Sequence, residues 1–194
     1  ASVPLQDDRD VVLAAVQQDG RALCYASKEL RADCGVVLAA VSMCRYAITY
    51  ALGEPLNDRE IMLAAVRRRG SNLVYGSMAR RDDRSVVLAA VRQDGSALGS
   101  ASFALRSDRE VVLAAVRTYG HALDYASASM RADRDVVLAA VKQNGSALCY
   151  APEFLQADRE VVLAAVIATP ATPALGYASA SLRSDREVVL AAVT

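Results

Sequence analysis

The sequence contains one histidine, His121, no tryptophan, and four cysteines without a Cys-x-x-Cys pair. A zinc site needs about four ligands at suitable spacing, and these residues do not supply such a set. His121 follows Tyr119 closely, but no nucleophile or second titratable group accompanies it at a recognisable spacing. We therefore expect no catalytic site, no metal site and no cofactor, and we predict that the protein is not an enzyme.

The chain also lacks a surplus of charge and a long apolar run. Lys plus Arg is 22 and Asp plus Glu is 22, so the formal net charge is zero. Proteins that bind nucleic acid usually carry a clear basic surplus, because their cations displace counterions from the phosphates. No apolar run approaches the roughly 18–20 residues needed to span a bilayer. We therefore do not expect nucleic acid as a partner, and we do not expect this segment to insert into a membrane. Association with a membrane-bound complex remains an alternative.

The cysteines bear on the compartment of the protein. Cys24, Cys34, Cys44 and Cys149 are expected to be free, partly buried thiols, which is typical of a reducing intracellular compartment, and a disulfide is the alternative. The sequence begins with Ala1 and not with Met. It is therefore either a processed mature protein or an excerpt, and an organellar location after removal of a targeting segment is a second interpretation.

What the sequence does contain is a repeat with a period of 25 residues. In each copy an aspartate is followed three positions later by an apolar block, Val-Val-Leu-Ala-Ala-Val in most copies. A fixed period of this length indicates stacked supersecondary units and not one globular core. The last period is 27 residues long, because two residues are inserted before it. The aspartates are Asp8, Asp33, Asp58, Asp83, Asp108, Asp133, Asp158 and Asp185.

Each copy predicts a helix followed by a second, half-exposed helix. Asp133, for example, is expected to cap the first helix, and its six successive apolar residues predict burial on all sides. Gly145 is expected to end this helix in the left-handed conformation. The second helix would start near Ser146. Its apolar positions, at helical spacing, are Leu148, Ala151 and Leu155.

The main alternative for the fold is a leucine-rich repeat, since Val-Val-Leu favours strands and periods of 20–29 residues fit that architecture. The Ala-Ala pair, the helix cap before each block and the missing Leu-x-x-Leu-x-Leu spacing favour helices instead. We predict an all-α, right-handed αα-solenoid of about eight short two-helix repeats. It is expected to form a single helical-repeat domain over residues 1–194.

Arginines recur in the repeat beside the acidic residues. An arginine follows the capping aspartate in seven of the eight copies, and an acid stands one position further on in most of them. Because the acids are interleaved with these arginines, a self-neutralising charge ladder is expected and not a track for phosphates. The run Arg67-Arg68-Arg69 is a local basic segment. It is expected to be a solvated helix end.

The repeat resembles a known family. One copy runs Leu105-Arg106-Ser107-Asp108-Arg109-Glu110-Val111-Val112-Leu113-Ala114-Ala115-Val116, with Gly120, Ala122, Leu123, Tyr125, Ala126 and Ser127 after it. This pattern resembles an uncharacterised family of 25-residue helical repeats, a domain of unknown function found in protists, algae and some intracellular bacteria. The resemblance covers nearly the whole chain. It implies the helical-repeat fold and brings no catalytic residue, cofactor or substrate.

Departures from the repeat are the candidate functional positions, with sequence drift as the alternative explanation. The second repeat, about residues 33–57, is degenerate, and a loop insertion lies at about residues 167–173. The last helix has no second helix after it, so its apolar face is expected to dock onto another subunit. The candidate partner contacts are Met43, Arg45, Tyr46, Thr169, Pro170, Thr172, Pro173, Val188, Val189 and Val193.

These observations favour a non-catalytic scaffold for protein–protein interaction. More specifically, we expect an accessory or linker subunit that stabilises a larger assembly, with protein subunits as its partners. If the protein is organellar, this assembly would be an organellar complex. The alternative is a peptide-binding adaptor module that uses the solenoid groove.

Overall fold

Long α-helices that begin just after each capping aspartate form the framework of the protein. The computed structural model describes residues 4–169 and 173–193, and every regular element in these residues is helical. The all-α class is therefore confirmed. The chain divides into two compact units, residues 1–93 and residues 94–194. Within each unit, successive long helices pack side by side as in an α-solenoid.

The first unit contains the long helices α1 (Arg9–Gln18), α3 (Cys34–Met43), α4 (Arg59–Arg68) and α6 (Arg84–Gln93), and the short helices α2 (Lys28–Arg31) and α5 (Met78–Arg81). Its 3-10 helices are Leu5–Asp7, Gly20–Tyr25, Ala47–Tyr50, Glu54–Leu56 and Gly70–Tyr75. The second unit contains the long helices α7 (Arg109–Thr118), α9 (Arg134–Gln143), α11 (Arg159–Ala168) and α13 (Arg186–Val193), and the short helices α8 (Ala128–Arg131), α10 (Glu153–Gln156) and α12 (Ala180–Arg183). Its 3-10 helices are Gly95–Ser100, Leu105–Ser107, Gly120–Tyr125, Gly145–Tyr150 and Pro173–Tyr177.

The capping aspartates begin the long helices as predicted. Asp133 Oδ1 accepts hydrogen bonds from the backbone N–H groups of Asp135 and Val136, at 3.0 and 3.1 Å. Helices α1, α4 and α11 begin in the same way, at Asp8, Asp58 and Asp158. Each cap satisfies N–H groups that have no partner inside the helix, which fixes where the helix starts.

The second helix of each repeat is not continuous, which corrects the expectation for this element. After the 3-10 helix Gly145–Tyr150, Ala151 is extended, with φ −77° and ψ 147°, and α10 follows. In most repeats a serine stands just after this break, and its backbone N–H bonds to the preceding repeat. Ser77 N–H donates to the carbonyl of Leu56 at 2.9 Å, and Ser127 N–H donates to that of Arg106 at 3.0 Å. A continuous helix would use this N–H internally, so the break provides a backbone bond between repeats.

The long helices are buried on three sides and not on all sides. In α9, Val136, Val137, Ala140 and Val141 are buried, whereas Leu138 and Ala139 are half-buried. Helices α7 and α11 cover two flanks of α9, and the neighbouring 3-10 helices cover a third. The predicted complete burial is therefore wrong for one stripe, which stays open along the long helices.

The recurrent glycine is not left-handed, contrary to the prediction. Among the described residues Gly53 is the glycine with positive φ, at 65°. The repeated glycine is required for a close approach to the next repeat instead. A Cβ at Gly120 would stand 2.7 Å from the carbonyl oxygen of Ala140 and 3.1 Å from the Cβ of Asn144. Gly20, Gly95 and Gly145 approach Ala40, Ala115 and Ala165 in the same manner, and more closely.

We expect Gly120→Ala to lower the free energy of unfolding by about 1–3 kcal/mol, because the new methyl group overpacks a backbone contact between repeats. The measurement is urea unfolding followed by circular dichroism. Gly176→Ala is the matched control, since a Cβ there meets no atom within 4 Å. Equal effects of the two substitutions would contradict a role for the glycine in this contact.

An ion-pair ladder links successive long helices, as predicted from the alternating charges. Arg134 contacts Asp158 at 2.8 Å and Glu160 at 2.6 Å, and Arg109 contacts Asp133 at 2.9 Å and Asp135 at 2.7 Å. In the first unit, Arg9 pairs with Asp33 and Arg59 with Asp83. The pairs are largely exposed, so each contributes less than about 1 kcal/mol. The capping aspartate in each pair serves two neighbouring repeats at once.

Stability should depend on pH through these aspartates. The hydrogen bond from Arg134 lowers the pKa of Asp158 below its usual 3.8, and the backbone N–H of Val161 adds to this effect. Because the folded pKa is the lower one, the stabilisation is complete above 3.8 and is lost as the pH falls through the folded value. Asp158→Asn keeps a capping side chain and removes the charge. We expect the urea midpoints of wild type and variant to differ at neutral pH, and the difference to shrink as the pH falls below 3.8. A constant difference over that range would contradict this linkage.

Candidate functional site

The degenerate second repeat lines a cleft at one edge of the first unit. We call it the loop cleft; its volume is about 510 Å³. Three predicted partner contacts, Met43, Arg45 and Tyr46, come together here. The lining residues are Asp19, Arg21, Met43, Cys44, Arg45, Tyr46 and Arg68.

The loop that forms this cleft follows from the loss of the recurrent glycine. Arg45 stands where five other repeats have glycine, at Gly20, Gly70, Gly95, Gly120 and Gly145. A side chain at that position cannot approach the next repeat as closely as glycine does, so the backbone takes another course. Helix α3 ends at Met43, and the next 3-10 helix begins only at Ala47. The loop between them exposes Arg45 and Tyr46.

Arginines from two repeats converge on the ring of Tyr46. The guanidinium carbons of Arg45 and Arg69 lie 4.9 and 5.2 Å from its centroid, within the range of cation–π attraction. Arg68 Nη2 donates a hydrogen bond to the carbonyl of Ser42. Arg67, Arg68 and Arg69 are exposed at the end of α4, as expected of a solvated helix end, and Arg68 and Arg69 also contact the second repeat.

The cleft is positively charged. Asp19 is the one carboxylate among its lining residues, and it already pairs with Arg21 at 3.2 Å. The backbone N–H and then the guanidinium of Arg21 lower the pKa of Asp19. No described carboxylate forms an ion pair with Arg45 or Arg69. The arrangement can accept a negatively charged group and offers no acid–base pair for catalysis.

A second concave surface, the helix groove, lies between α4 and α6. Its volume is about 770 Å³. It follows the open stripe of the long helices, so Leu63 is half-buried and faces the groove. Arg59, on one side, pairs with Asp83 at 3.1 Å and donates to the hydroxyl of Ser85 at 2.7 Å. The lining residues are Arg59, Leu63, Arg67, Ser85, Leu88, Ala89, Arg92 and Gln93.

The other predicted contacts lie in the second unit. Thr169 Oγ1 accepts a hydrogen bond from the backbone N–H of Gly145 at 2.8 Å, so this side chain joins two repeats. Pro170 and Thr172 lie outside the described residues, and Pro173 begins a 3-10 helix. On α13 the structure buries Val188 completely, so this residue is not available to a partner. Val189 is half-buried and Val193 is exposed.

A family model for a domain of unknown function, DUF4116, matches residues 8–54, 58–106, 83–131, 133–171 and 158–194. These segments cover most of the sequence. The chain belongs to this family. No curated protein and no solved structure matches it.

His121 is part of an aromatic cluster in this DUF4116 chain. Its ring stacks on Tyr119, with centroids 5.5 Å apart, and meets Tyr150 edge-on at 5.7 Å. The pKa of the nearby Cys149 thiol is raised by burial, which disfavours the reactive thiolate. All four cysteines are half-buried free thiols. Within residues 4–169 and 173–193 there is no group of three metal-ligating side chains and no helix able to cross a membrane.

Asn72 is the residue of the loop cleft that sequence analysis missed. Most DUF4116 repeats of this chain have alanine at its position, whereas Asn72 is a buried polar residue. Its Nδ2 donates to the carbonyls of Arg45 at 2.8 Å and of Ala65 at 3.0 Å. Ala65 corresponds to the alanine that glycine approaches in other repeats. Asn72 therefore bridges the gap that Arg45 creates. The sequence feature that could have indicated this role is an asparagine at a position where most repeats have alanine.

The pair Arg45 and Asn72 should be energetically coupled. We expect Asn72→Ala to lower the free energy of unfolding by about 1–3 kcal/mol, because the carbonyl of Arg45 loses its amide donor and that of Ala65 keeps only the backbone N–H of Arg69. The double variant Arg45→Gly with Asn72→Ala restores the residues of the other repeats and should regain much of that loss. A double-mutant cycle by urea unfolding measures this. Additivity within about 0.5 kcal/mol would contradict the coupling.

Proposed function

We propose that this DUF4116 chain is a non-catalytic scaffold for protein–protein interaction, and that a protein partner binds at the loop cleft. The cleft combines exposed methionine, tyrosine and arginine side chains, the types that are enriched at interfaces. Met43 is 51% exposed and Tyr46 is 39% exposed. A long, flexible apolar side chain beside an aromatic ring provides contact area, and the arginines provide directed hydrogen bonds.

The observation that carries this proposal is the bridge of Asn72 to the Arg45 loop. Drift alone would remove the glycine of the second repeat without supplying a replacement contact. Here a second departure, in the third repeat, satisfies the carbonyl that the first one displaces. An ordered loop costs less conformational entropy on binding than a mobile one, which favours a binding surface.

A specific observation also supports the alternative, a peptide-binding adaptor. The helix groove carries the half-buried Leu63 between Arg59, about one turn before it along α4, and Arg67, about one turn after it. An extended or helical peptide with apolar and acidic residues would fit this arrangement.

A site-specific crosslinker separates these surfaces. A benzophenone amino acid at position 46 of the full chain, in its native source, should give one dominant crosslinked protein. Position 125 is the matched control, because Tyr125 is also 39% exposed. We expect Tyr46→Ala to weaken binding of the crosslinked partner about 10- to 100-fold and Tyr125→Ala to leave it unchanged.

A crosslinker at Leu63 tests the alternative. Crosslinks from position 63 without any from position 46 would overturn the loop-cleft proposal in favour of the helix groove. Crosslinks from position 125 as strong as those from position 46 would also overturn it, since they would indicate nonspecific capture.

A further inference from the structure

We infer that the loop cleft binds a phosphorylated side chain, phosphoserine or phosphothreonine, of the partner. This inference rests on the proposed function and names the chemistry that the cleft would recognise. The phosphoryl group would lie against the guanidinium groups of Arg45 and Arg69, beside the ring of Tyr46.

The first argument is an uncompensated pair of positive charges. Arg45 comes from the second repeat and Arg69 from the end of α4, and both guanidinium groups are held against one ring. An anion beside this ring would neutralise both cations. Elsewhere in the first unit Arg9 and Arg59 have carboxylate partners, but no described carboxylate pairs with Arg45 or Arg69.

The second argument is the match of charge and hydrogen bonding. A phosphomonoester carries about −1.5 to −2 charge near neutral pH and offers three strong acceptor oxygens. A guanidinium group binds such oxygens through two parallel N–H donors. Arg68 adds positive charge around the cleft, whereas Arg21 and Asp19 pair with each other. A single carboxylate has one charge and two oxygens, so it would leave part of this capacity unused.

The third argument is that the cleft is fixed before a ligand binds. Asn72 holds the carbonyl of Arg45, and the guanidinium of Arg68 holds the carbonyl of Ser42. The two donors thus hold the last turn of α3, which carries Met43, and the loop after it, which carries Tyr46. Met43, exposed at the rim, can contact the residue that flanks the phosphorylated one.

The test is an NMR titration of the full chain with ¹³C-labelled methionine methyl groups. The probes are N-acetyl-phosphoserine amide, N-acetyl-glutamate amide and inorganic phosphate. Met43 lines the cleft, whereas Met62 is buried in α4 and serves, with Met78 and Met130, as an internal control. We expect a saturable shift of the Met43 signal, with phosphoserine amide binding at least about tenfold more tightly than either other probe.

Two variants and the pH dependence make the assignment specific. Arg69→Gln should weaken phosphoserine binding about tenfold or more, and Arg69→Lys should weaken it less, because lysine keeps the charge but not the paired donors. Arg117→Gln, an exposed arginine of the second unit, is the control and should have no effect. Binding should strengthen as the pH rises through about 6, where the phosphomonoester gains its second charge.

The outcomes are distinct. Equal binding of glutamate amide, or equal binding of inorganic phosphate, would overturn the inference, since the cleft would then recognise any anion or a free ion. No shift of Met43 with any probe would overturn it as well. If position 46 still crosslinks one partner in those cases, the scaffold proposal survives without the phosphate. If phosphoserine binds but no partner crosslinks, the phosphate inference survives and the scaffold proposal fails.

Discussion

The structure depends on one backbone contact, the approach of a glycine to the alanine carbonyl of the next repeat. At Gly120 a single methyl group would stand 2.7 Å from that oxygen, so the two repeats can meet at this distance only without a side chain. The valines and alanines of the long helices are packed around this spacing, which explains why small residues dominate the core. Larger residues would separate the repeats and break the backbone bonds between them. The regular recurrence of glycine in the sequence therefore reflects the short distance at which neighbouring repeats meet.

The same contact explains how a regular array acquires a distinct site. Where Arg45 replaces glycine, the backbone must leave its usual course, and the loop that results exposes Tyr46 beside Met43, the last residue of α3. Asn72, in the third repeat, then donates hydrogen bonds to the carbonyls of Arg45 and Ala65. These bonds replace the close backbone approach that glycine makes in other repeats. One substitution creates the cleft and a second one orders it. A site of this kind needs no new secondary structure.

The sequence predicted what is local and periodic. The capping aspartates, the long helices and the ion-pair ladder follow from side-chain type and spacing, and the structure confirms them. The break at Ala151 was missed because Leu148 and Leu155, on either side of it, are both buried and have helical spacing. In most other repeats the backbone bond that favours the break comes from another repeat, as from Ser127 N–H to the carbonyl of Arg106. The prediction for the glycine was wrong for a similar reason. A C′ glycine would act within its own helix end, whereas this glycine contacts an alanine 20 residues further along the chain. Asn72 could not be interpreted without knowing which carbonyls it would reach.

The zero net charge of the chain did not predict the positive charge of the loop cleft, because it sums over two different arrangements of arginine. These are the ion-pair ladder and the pair Arg45 and Arg69. In the ladder each acid serves twice, since Asp133 and Asp158 cap a helix and also pair with an arginine of the preceding repeat. An acid used in this way cannot be released to a ligand without loss of the cap, so the ladder is committed to structure. Arg45 and Arg69 have an aromatic ring in place of an acid, and a ring attracts a cation without neutralising it. The positive charge of the cleft therefore remains available to an incoming anion, although the chain as a whole is neutral.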